Sequence, residues 1–530
     1  ETVWKSGAES TGIQEEIERF NSMQIQNILN YLEASAASCP EKVAFEDLEH
    51  SYTFAQVQEN ARRMGSALAA ELSPNAPVPV FMEKEAWTLN VFMGAVCAGC
   101  FYTLVEPELP VERVRLILET LDAQVLVTTE KLKEKAEGLG FQGKILLAED
   151  LVQTEVKESL LEARRKGACD TDPLYAMFTS GSTGVPKGVV VSHRSVIDFT
   201  EHFTEIFGFT SEDVIANQAP FDFDVSVKDL YPTLKCGATM EVIPKKFFSV
   251  PKKLIDFLDD RKVTSLTWAV SALCIISMLK GFRYKVPGSI RRVMFSGEVM
   301  PVKHLNYWRS YLPEARYVNL YGPTEITCNC TYYEIKKDFT EEGQIPIGIA
   351  FPNERVFLLD EEDHLVTAEN PGVLGEICVT GTALALGYYA NPEKTAEVFV
   401  QNPLNHRYLE PMYRTGDLGR YGEDGELYYA TRKDFQIKHM GHRIELGEVE
   451  AACQALEGIS RVCCIYDEPN TKIIAFYVGE LESKAIIQGM GEKLPRFMIP
   501  NVFQKVEAMP LTKNGKIDRK ELMASYEERK

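Results

Sequence analysis

The sequence predicts an α/β protein: a large N-terminal domain of parallel-rich βα sheet layers with a small β subdomain, followed by a small α+β C-terminal domain. Three observations predict it. From Met23 to about Cys169, stretches with helical spacing alternate with β-type runs, and strands joined by helices pair in parallel with the helices on the sheet faces. Short β-branched runs return later as isolated strands, among them Val263–Trp268 and Arg292–Gly297. The 530 residues exceed one ordinary core, so roughly two to four subdomains are expected.

Composition excludes several classes. A hydrophobic content of 45% is that of a folded chain, not a disordered one. A net charge of −20 speaks against nucleic acid as a partner, because phosphate backbones need basic surface. No apolar run approaches about 18 residues, so no membrane span is expected, and the polar, acidic start does not read as a signal peptide. Twelve cysteines in a chain this long are not a disulfide scaffold. The pair Cys97 and Cys100 lies beside the apolar stretch Val91–Val96 and reads as core. The eight histidines show no zinc-ligand spacing. A reducing, cytoplasmic setting and a monomer are expected.

In chain order, residues 1–22 stand apart as a linker or upstream segment, and Met23 could be a native start. Ile25–Leu32 has helical spacing; Lys42–Phe45 and Ser51–Phe54 read as a hairpin, followed by a helix from Ala55 to Glu71. Val78–Met82 reads as a strand with Pro79 near its start, since proline cannot donate to a ladder. His193–Phe203 reads as a helix. Leu374–Gly381 and Leu386–Tyr389 suggest the small β subdomain, which Tyr413–Asp417 ends. The charges of Gly441–Glu450 open the last domain and could be only a solvated face.

The most informative stretch is Thr179-Ser180-Gly181-Ser182-Thr183-Gly184-Val185-Pro186-Lys187-Gly188. Its glycines let backbone N–H groups turn toward an anion, its hydroxyls add short donors that can also ligate Mg²⁺, and Lys187 adds a mobile positive charge. Together they describe a polyphosphate-holding loop. It is not the ordinary P-loop, whose lysine opens a helix. Here Leu174–Phe178 and Val189–Val191 both read as strands, giving strand–loop–strand. A plain Gly/Ser hairpin tip is the alternative, to which Pro186 and Lys187 would add nothing.

Further on, Asp224 sits among Phe223, Val225 and Val227, where a carboxylate is costly unless a cation meets it; a helix N-cap is the plainer reading. Tyr321 offers a ring face for adenine, Asn319 an amide for its edge, and Glu325 a hard oxygen for Mg²⁺. Gly322-Pro323-Thr324 forms the turn between them. Thr267, Met294 and Ser296 lie at carboxyl ends of predicted strands, where α/β proteins bind ligands.

The loop resembles the phosphate motif of the adenylate-forming (ANL) superfamily, which joins acyl-CoA synthetases, luciferases and the adenylation domains of nonribosomal peptide synthetases. The resemblance runs from about Met23 to Glu521, and it departs from the pattern at Glu106, where aspartate is usual. It implies a large domain over 23–433 and a small mobile domain over 434–530 that turns about Asp434. It implies that Asp224 binds a substrate α-ammonium, that Asp417 and Arg432 contact ribose, and that Lys516 reaches the substrate carboxylate and the α-phosphate. Read by family position, the side-chain pocket is Val225, Lys228, Thr267, Met294, Ser296, Leu320, Cys328 and Asn329. Lys228 either meets an acidic or polar substrate group or snorkels outward.

The implied activity is ATP- and Mg²⁺-dependent activation of an amino acid as its adenylate, followed by transfer to the phosphopantetheine thiol of a carrier protein. The loop and the Phe-Asp-x-Ser-Val segment also resemble D-alanine–carrier protein ligases. The rivals are an acyl- or aryl-CoA synthetase, which has no use for Asp224, and a catalytically silent nucleotide-binding scaffold.

Overall fold

The computed structural model describes residues 25–181, 185–341, 343–511 and 517–528. The expectations for residues 1–22, Ser182, Thr183, Gly184 and Lys516 lie outside those residues.

Two parallel-rich sheets form the bulk of the chain. The first runs, edge to edge, Gly387–Tyr388, Lys187–Ser192, Pro173–Thr179, Phe101–Leu104, Pro77–Phe81, Val125–Thr128 and Lys144–Leu147. The first three strands pair antiparallel in turn, and the remaining pairings are parallel. Pro79 is tolerated inside this sheet because pairing with Val125–Thr128 begins only at Val80. The second sheet has nine strands; Ser265–Ala269, Arg292–Ser296 and Arg316–Tyr321 lie parallel beside Val214–Asn217.

A shared core fills the space around both sheets, with Tyr102 and Tyr175 from the first and Ile215, Met294 and Val318 from the second. A second core on the nine-stranded sheet holds Trp268 and Trp308, whose indole N–H groups donate to the Ala216 and Leu273 carbonyls at 2.8 and 3.0 Å. Burial without that pairing would cost a few kcal/mol, on the order of 1–3 for each indole.

Several local expectations hold. Val43–Glu46 and Ser51–Thr53 form the hairpin, and the helix Phe54–Glu71 starts on a Thr53–Gln56 capping box. The first helix starts later than its spacing predicts, at Leu29, because the side-chain oxygens of Asn27 and Asn30 accept the N–H groups of Leu29 and of Gln26 and Asn27 and hold the entry as a turn. Cys97 is half-buried and Cys100 buried, and burial pushes their thiols up to about 12 and 11.

The small β subdomain is an antiparallel sheet of Leu365–Val366, Glu354–Leu359, Gly375–Gly381, Pro411–Tyr421, Phe399–Gln401 and Leu427–Arg432. Two corrections follow. It does not end at Asp417, because Pro411–Tyr421 continues and turns back through Leu427–Arg432. Gly387–Tyr388 does not belong to it, but closes the edge of the first sheet against Val189 and Val190. The C-terminal part is a hairpin of Gln436–His439 and His442–Glu445, the helix Leu446–Gln454, and a three-stranded sheet with two further helices. No helix among the described residues is long and apolar enough to cross a membrane.

Candidate active site

Pro173–Thr179 and Lys187–Ser192 pair with Thr179 opposite Lys187, so the glycine-rich segment is the tip of a β-hairpin, as the sequence predicts. A side chain at Gly181 would put its Cβ 2.1 Å from the Val185 carbonyl oxygen, so only glycine passes there. The Thr179 hydroxyl is buried with no partner among the described residues, which leaves it available to a ligand. Burial pushes Lys187 down to about 8, and Arg443 adds to the effect. Its ammonium lies 3.8 Å from Glu325 Oε1 and 4.8 Å above the Tyr388 ring.

Glu325 is the anion at the centre of this group, with none of its surface exposed. Oε1 accepts the Tyr388 hydroxyl at 2.7 Å and Oε2 accepts Arg443 Nη1 at 2.6 Å. Burial alone would raise its pKa, but Arg443 and Lys187 outweigh burial and hold it at about 2. It therefore stands as an ionised oxygen donor.

The side of the cleft where the sequence places a nucleotide is built on the strand Arg316–Tyr321 and the turn after it. Asn319 and Tyr321 line a cavity of about 590 Å³ together with Leu320, Arg432, Phe435 and Lys438. Asn319 Nδ2 donates to the Pro346 carbonyl at 2.8 Å, leaving its side-chain oxygen for a ligand. The Tyr321 hydroxyl donates to Asp417 Oδ2 at 2.6 Å, and Arg432 Nη1 reaches Asp417 Oδ1 at 2.7 Å. Arg432 also clasps Asp434 through two bonds of 2.7 and 2.8 Å. Gly322 is required because a Cβ there would lie 2.5 Å from Asn329 Cα, so the turn threads directly against the pocket wall.

A second, narrower cavity of about 120 Å³ holds Asp224 with Val225, Ser296 and Cys328 on its lining, beside Thr179, Ser180 and Thr324. Asp224 opens a 3₁₀ turn, Asp224–Ser226, that runs into the helix Val227–Cys236, and no side-chain cap bond forms at either start. The N-cap reading therefore fails, and the carboxylate faces the cavity. Burial raises its pKa, while Lys228 and a hydrogen bond with the Thr324 side chain oppose the rise.

Lys228 does not snorkel: it is 1% exposed, and its Nζ donates to Ser296 Oγ and Asn329 Oδ1, both at 2.8 Å. Thr267 and Met294 sit mid-strand, directly opposite one another and fully buried, rather than at the carboxyl ends expected from their runs. Neither lines the cavity, nor do Lys228 and Asn329, which lie behind Ser296, and Leu320 lines the larger cavity instead.

The C-terminal hairpin and the helix after it supply what the sequence reading missed. Ser180 Oγ donates to the Arg443 carbonyl at 3.0 Å and accepts the Glu445 N–H at 3.1 Å. Gly181 N–H donates to Glu448 Oε2 at 3.2 Å, and Glu448 is paired with Arg113. Gly441 N–H donates to Glu298 Oε1 at 3.0 Å. His442 stacks on Phe497, centroids 3.6 Å apart, with Phe223 edge-on at 4.7 Å. The run Gly441–Glu450 is therefore not a solvated face. Its one sequence signal is an acidic and basic pattern too regular for a loop, Arg443-Ile444-Glu445 followed by Glu448.

Comparison with known proteins agrees with this geometry. Residues 32–389 match the family model described as AMP-binding enzyme. The chain is 34% identical to a mycosubtilin synthase of Bacillus subtilis, across 95% of this chain but 19% of that protein, so it spans under a fifth of that relative. It is 32% identical to zwittermicin A synthase ZmaJ of Bacillus cereus, covering 93% of this chain and 94% of that one. It is 30% identical to a D-alanine–D-alanyl carrier protein ligase of Staphylococcus aureus (strain bovine RF122 / ET3-1), covering 94% and 98%.

Among solved structures, the Vibrio cholerae adenylation domain AlmE in complex with glycyl-adenosine-5'-phosphate superposes with a TM-score of 0.82 at 20% identity, covering 95% of this chain and 99% of that one. At that identity the likeness bears on the fold alone. A family model spanning more than half the chain, together with relatives at 30% identity or more matched over nearly their whole length, places this protein in the AMP-binding enzyme family of adenylate-forming proteins.

Proposed function

We propose that this chain activates an amino acid with ATP, releasing pyrophosphate, and passes the aminoacyl group to the phosphopantetheine thiol of a carrier protein. The observation that carries the reading is Asp224: a carboxylate with no cap duty, facing the cavity that the phosphate hairpin also lines. A substrate ammonium meets that carboxylate, and the substrate carboxylate is then left toward Thr179, Ser180 and Thr324.

The first step forms a bond from the substrate carboxylate oxygen to the α-phosphorus of ATP and breaks the bond to the pyrophosphate. Like charges repel here, so the protein's work is neutralisation and positioning. Lys187 supplies a cation at the hairpin end, Asn319 and Tyr321 hold the base, Asp417 and Arg432 hold the ribose, and Lys516 reaches the α-phosphate. Glu325 suits Mg²⁺ in charge and donor type, with Thr183 as a second oxygen, once the Arg443 guanidinium leaves its Oε2. Bound there, the ion supplies positive charge for the departing pyrophosphate. In the second step the carrier thiol attacks the acyl carbon, the C–S bond forms, AMP leaves, and the thiol proton goes to solvent. The docking of Ser180 and Gly181 against Arg443, Glu445 and Glu448 suits this second step, since those groups are then not needed by phosphate. Asp434 is the proposed pivot between the two arrangements.

The test is amino-acid-dependent exchange of labelled pyrophosphate into ATP, with wild type and Asp224→Ala. Exchange is expected with wild type and should fall at least about 100-fold in the variant, the scale of losing a buried charge partner. An enzyme that needs coenzyme A and a fatty or aryl acid, and is indifferent to Asp224→Ala, would instead be an acyl-CoA synthetase.

A further inference from the structure

Resting on the amino-acid activation reading above, the polar group directly behind Ser296, on the wall of the Asp224 cavity, says which side chain it takes. Lys228 follows Asp224 by one helical turn, and its ammonium is enclosed by protein. An ammonium can only donate, so its bonds to Ser296 Oγ and Asn329 Oδ1 use acceptor atoms on both partners. Those groups still offer donors, the Ser296 hydroxyl proton, the Asn329 amide and the remaining ammonium N–H, beside one lone pair on each oxygen. Asn329 Nδ2 is buried with no partner among the described residues, and Ser296 lines the cavity. Ser296 thus stands at the cavity wall with the Lys228 ammonium and the Asn329 amide directly behind it.

The charges lead to the same place. Burial pushes Lys228 down and Asp224 up, and the attraction between the two opposes both shifts while the substrate is absent. When a substrate ammonium takes Asp224, that attraction is lost to Lys228. The next carboxyl along, Asp229, does not replace it: Oδ2 accepts Asn217 Nδ2 at 2.9 Å, burial pushes its pKa up to about 7, and Lys84 also draws on its charge. A buried cation in that position calls for an anion from the ligand.

We propose that the pocket selects an α-amino acid whose side chain ends in a carboxylate, aspartate or glutamate, held by the ammonium of Lys228, the hydroxyl of Ser296 and the amide of Asn329. A carboxylate only accepts and carries the charge that an ammonium and an unpaired amide N–H match. An amide side chain brings no charge to the ammonium, and an alkyl side chain would leave the ammonium and the Asn329 amide unmet.

Pyrophosphate exchange is measured for single amino acids with the full chain: aspartate, glutamate, asparagine, glutamine, leucine, serine, glycine, and both alanine enantiomers. Aspartate or glutamate should exceed its isosteric amide by about 100-fold in kcat/KM, the discrimination typical of a site built around one polar partner. A neutral amino acid as the best substrate overturns the proposal while leaving amino-acid activation intact. Silence with every amino acid overturns the activation reading and this proposal with it. Lys228→Met keeps the methylene stem and removes the charge; the acid-over-amide ratio should collapse to near one, and an unchanged ratio counts against the assignment. Should that variant not fold, calorimetry on wild type decides: aspartyl sulfamoyl-adenosine should bind about 100-fold tighter than its asparaginyl twin, and equal affinity overturns the proposal.

Discussion

Lys187 is a cation almost shut off from water, beside a second cation, Arg443, and close to Glu325. Its pKa of about 8, against an ordinary value of 10.5, means that its charge is present at neutral pH and disappears as pH rises through 8. With a triphosphate to hold, kcat/KM for ATP should fall as pH rises above 8, and Lys187→Arg should move that limb to higher pH because a guanidinium does not titrate there. A pH profile in which wild type and Lys187→Arg coincide would remove the role.

Glu325 has the opposite sign. Its folded pKa of about 2 lies below the ordinary 4.5, so its contribution to stability is full above that ordinary value and is lost as pH falls from 4.5 toward 2. Glu325→Gln leaves Arg443 and Lys187 facing each other without an anion, and should cost about 3–5 kcal/mol in a denaturant melt besides slowing exchange. If the melt is unmoved, the buried pair is not a structural element. Not every residue-scale assignment can be read from sequence. The enclosed carboxylates of Asp224 and Glu325 can be picked out, because each is set in apolar or turn surroundings that demand a reason, whereas their roles stay proposals. Thr267 and Met294 are expected at strand ends only because run lengths fix those ends loosely, and the strands continue to Ala269 and Ser296.

At the scale of elements, the phosphate hairpin is legible for a local reason: its turn chemistry and its flanking β-branched runs lie within 20 residues of each other. The hairpin Gln436–Glu445 is not, since what it touches at Ser180 lies 263 and 265 residues back along the chain from Arg443 and Glu445. Sequence spacing carries no signal for contacts of that range. The structure assigns Arg443 to the docked arrangement through its bond to Glu325. Arg443→Met should therefore slow aminoacyl transfer to a carrier thiol by about tenfold or more, for the loss of a charge-assisted bond, and spare adenylate formation. Single-turnover measurement of each half-reaction checks this, and an equal loss in both would show that Arg443 serves the nucleotide instead.

For the molecule as a whole, two large sheets sharing a core fix one half of the cleft, and the C-terminal hairpin and helix close the other. The order of the motifs outlines that division, while the interlocking edge, with Gly387–Tyr388 added to the first sheet, needs coordinates. The prediction at this scale concerns Lys516, on the C-terminal side of the pivot. Lys516→Ala should cut adenylate formation by about 100-fold or more and leave transfer from a preformed adenylate near wild type. Comparable losses in both half-reactions would argue against two domain arrangements.

With a triphosphate held at the hairpin tip as proposed, the Ser180 hydroxyl and the Gly181 amide, both already engaged by the protein's own C-terminal segment, would make the enzyme a competitor of its own nucleotide. A triphosphate can claim those donors only in molecules whose hairpin has lifted. The affinity measured for ATP is then the intrinsic one reduced by the lifted fraction. Loosening the Glu448 clasp should make ATP bind tighter even though it deletes a contact and adds none.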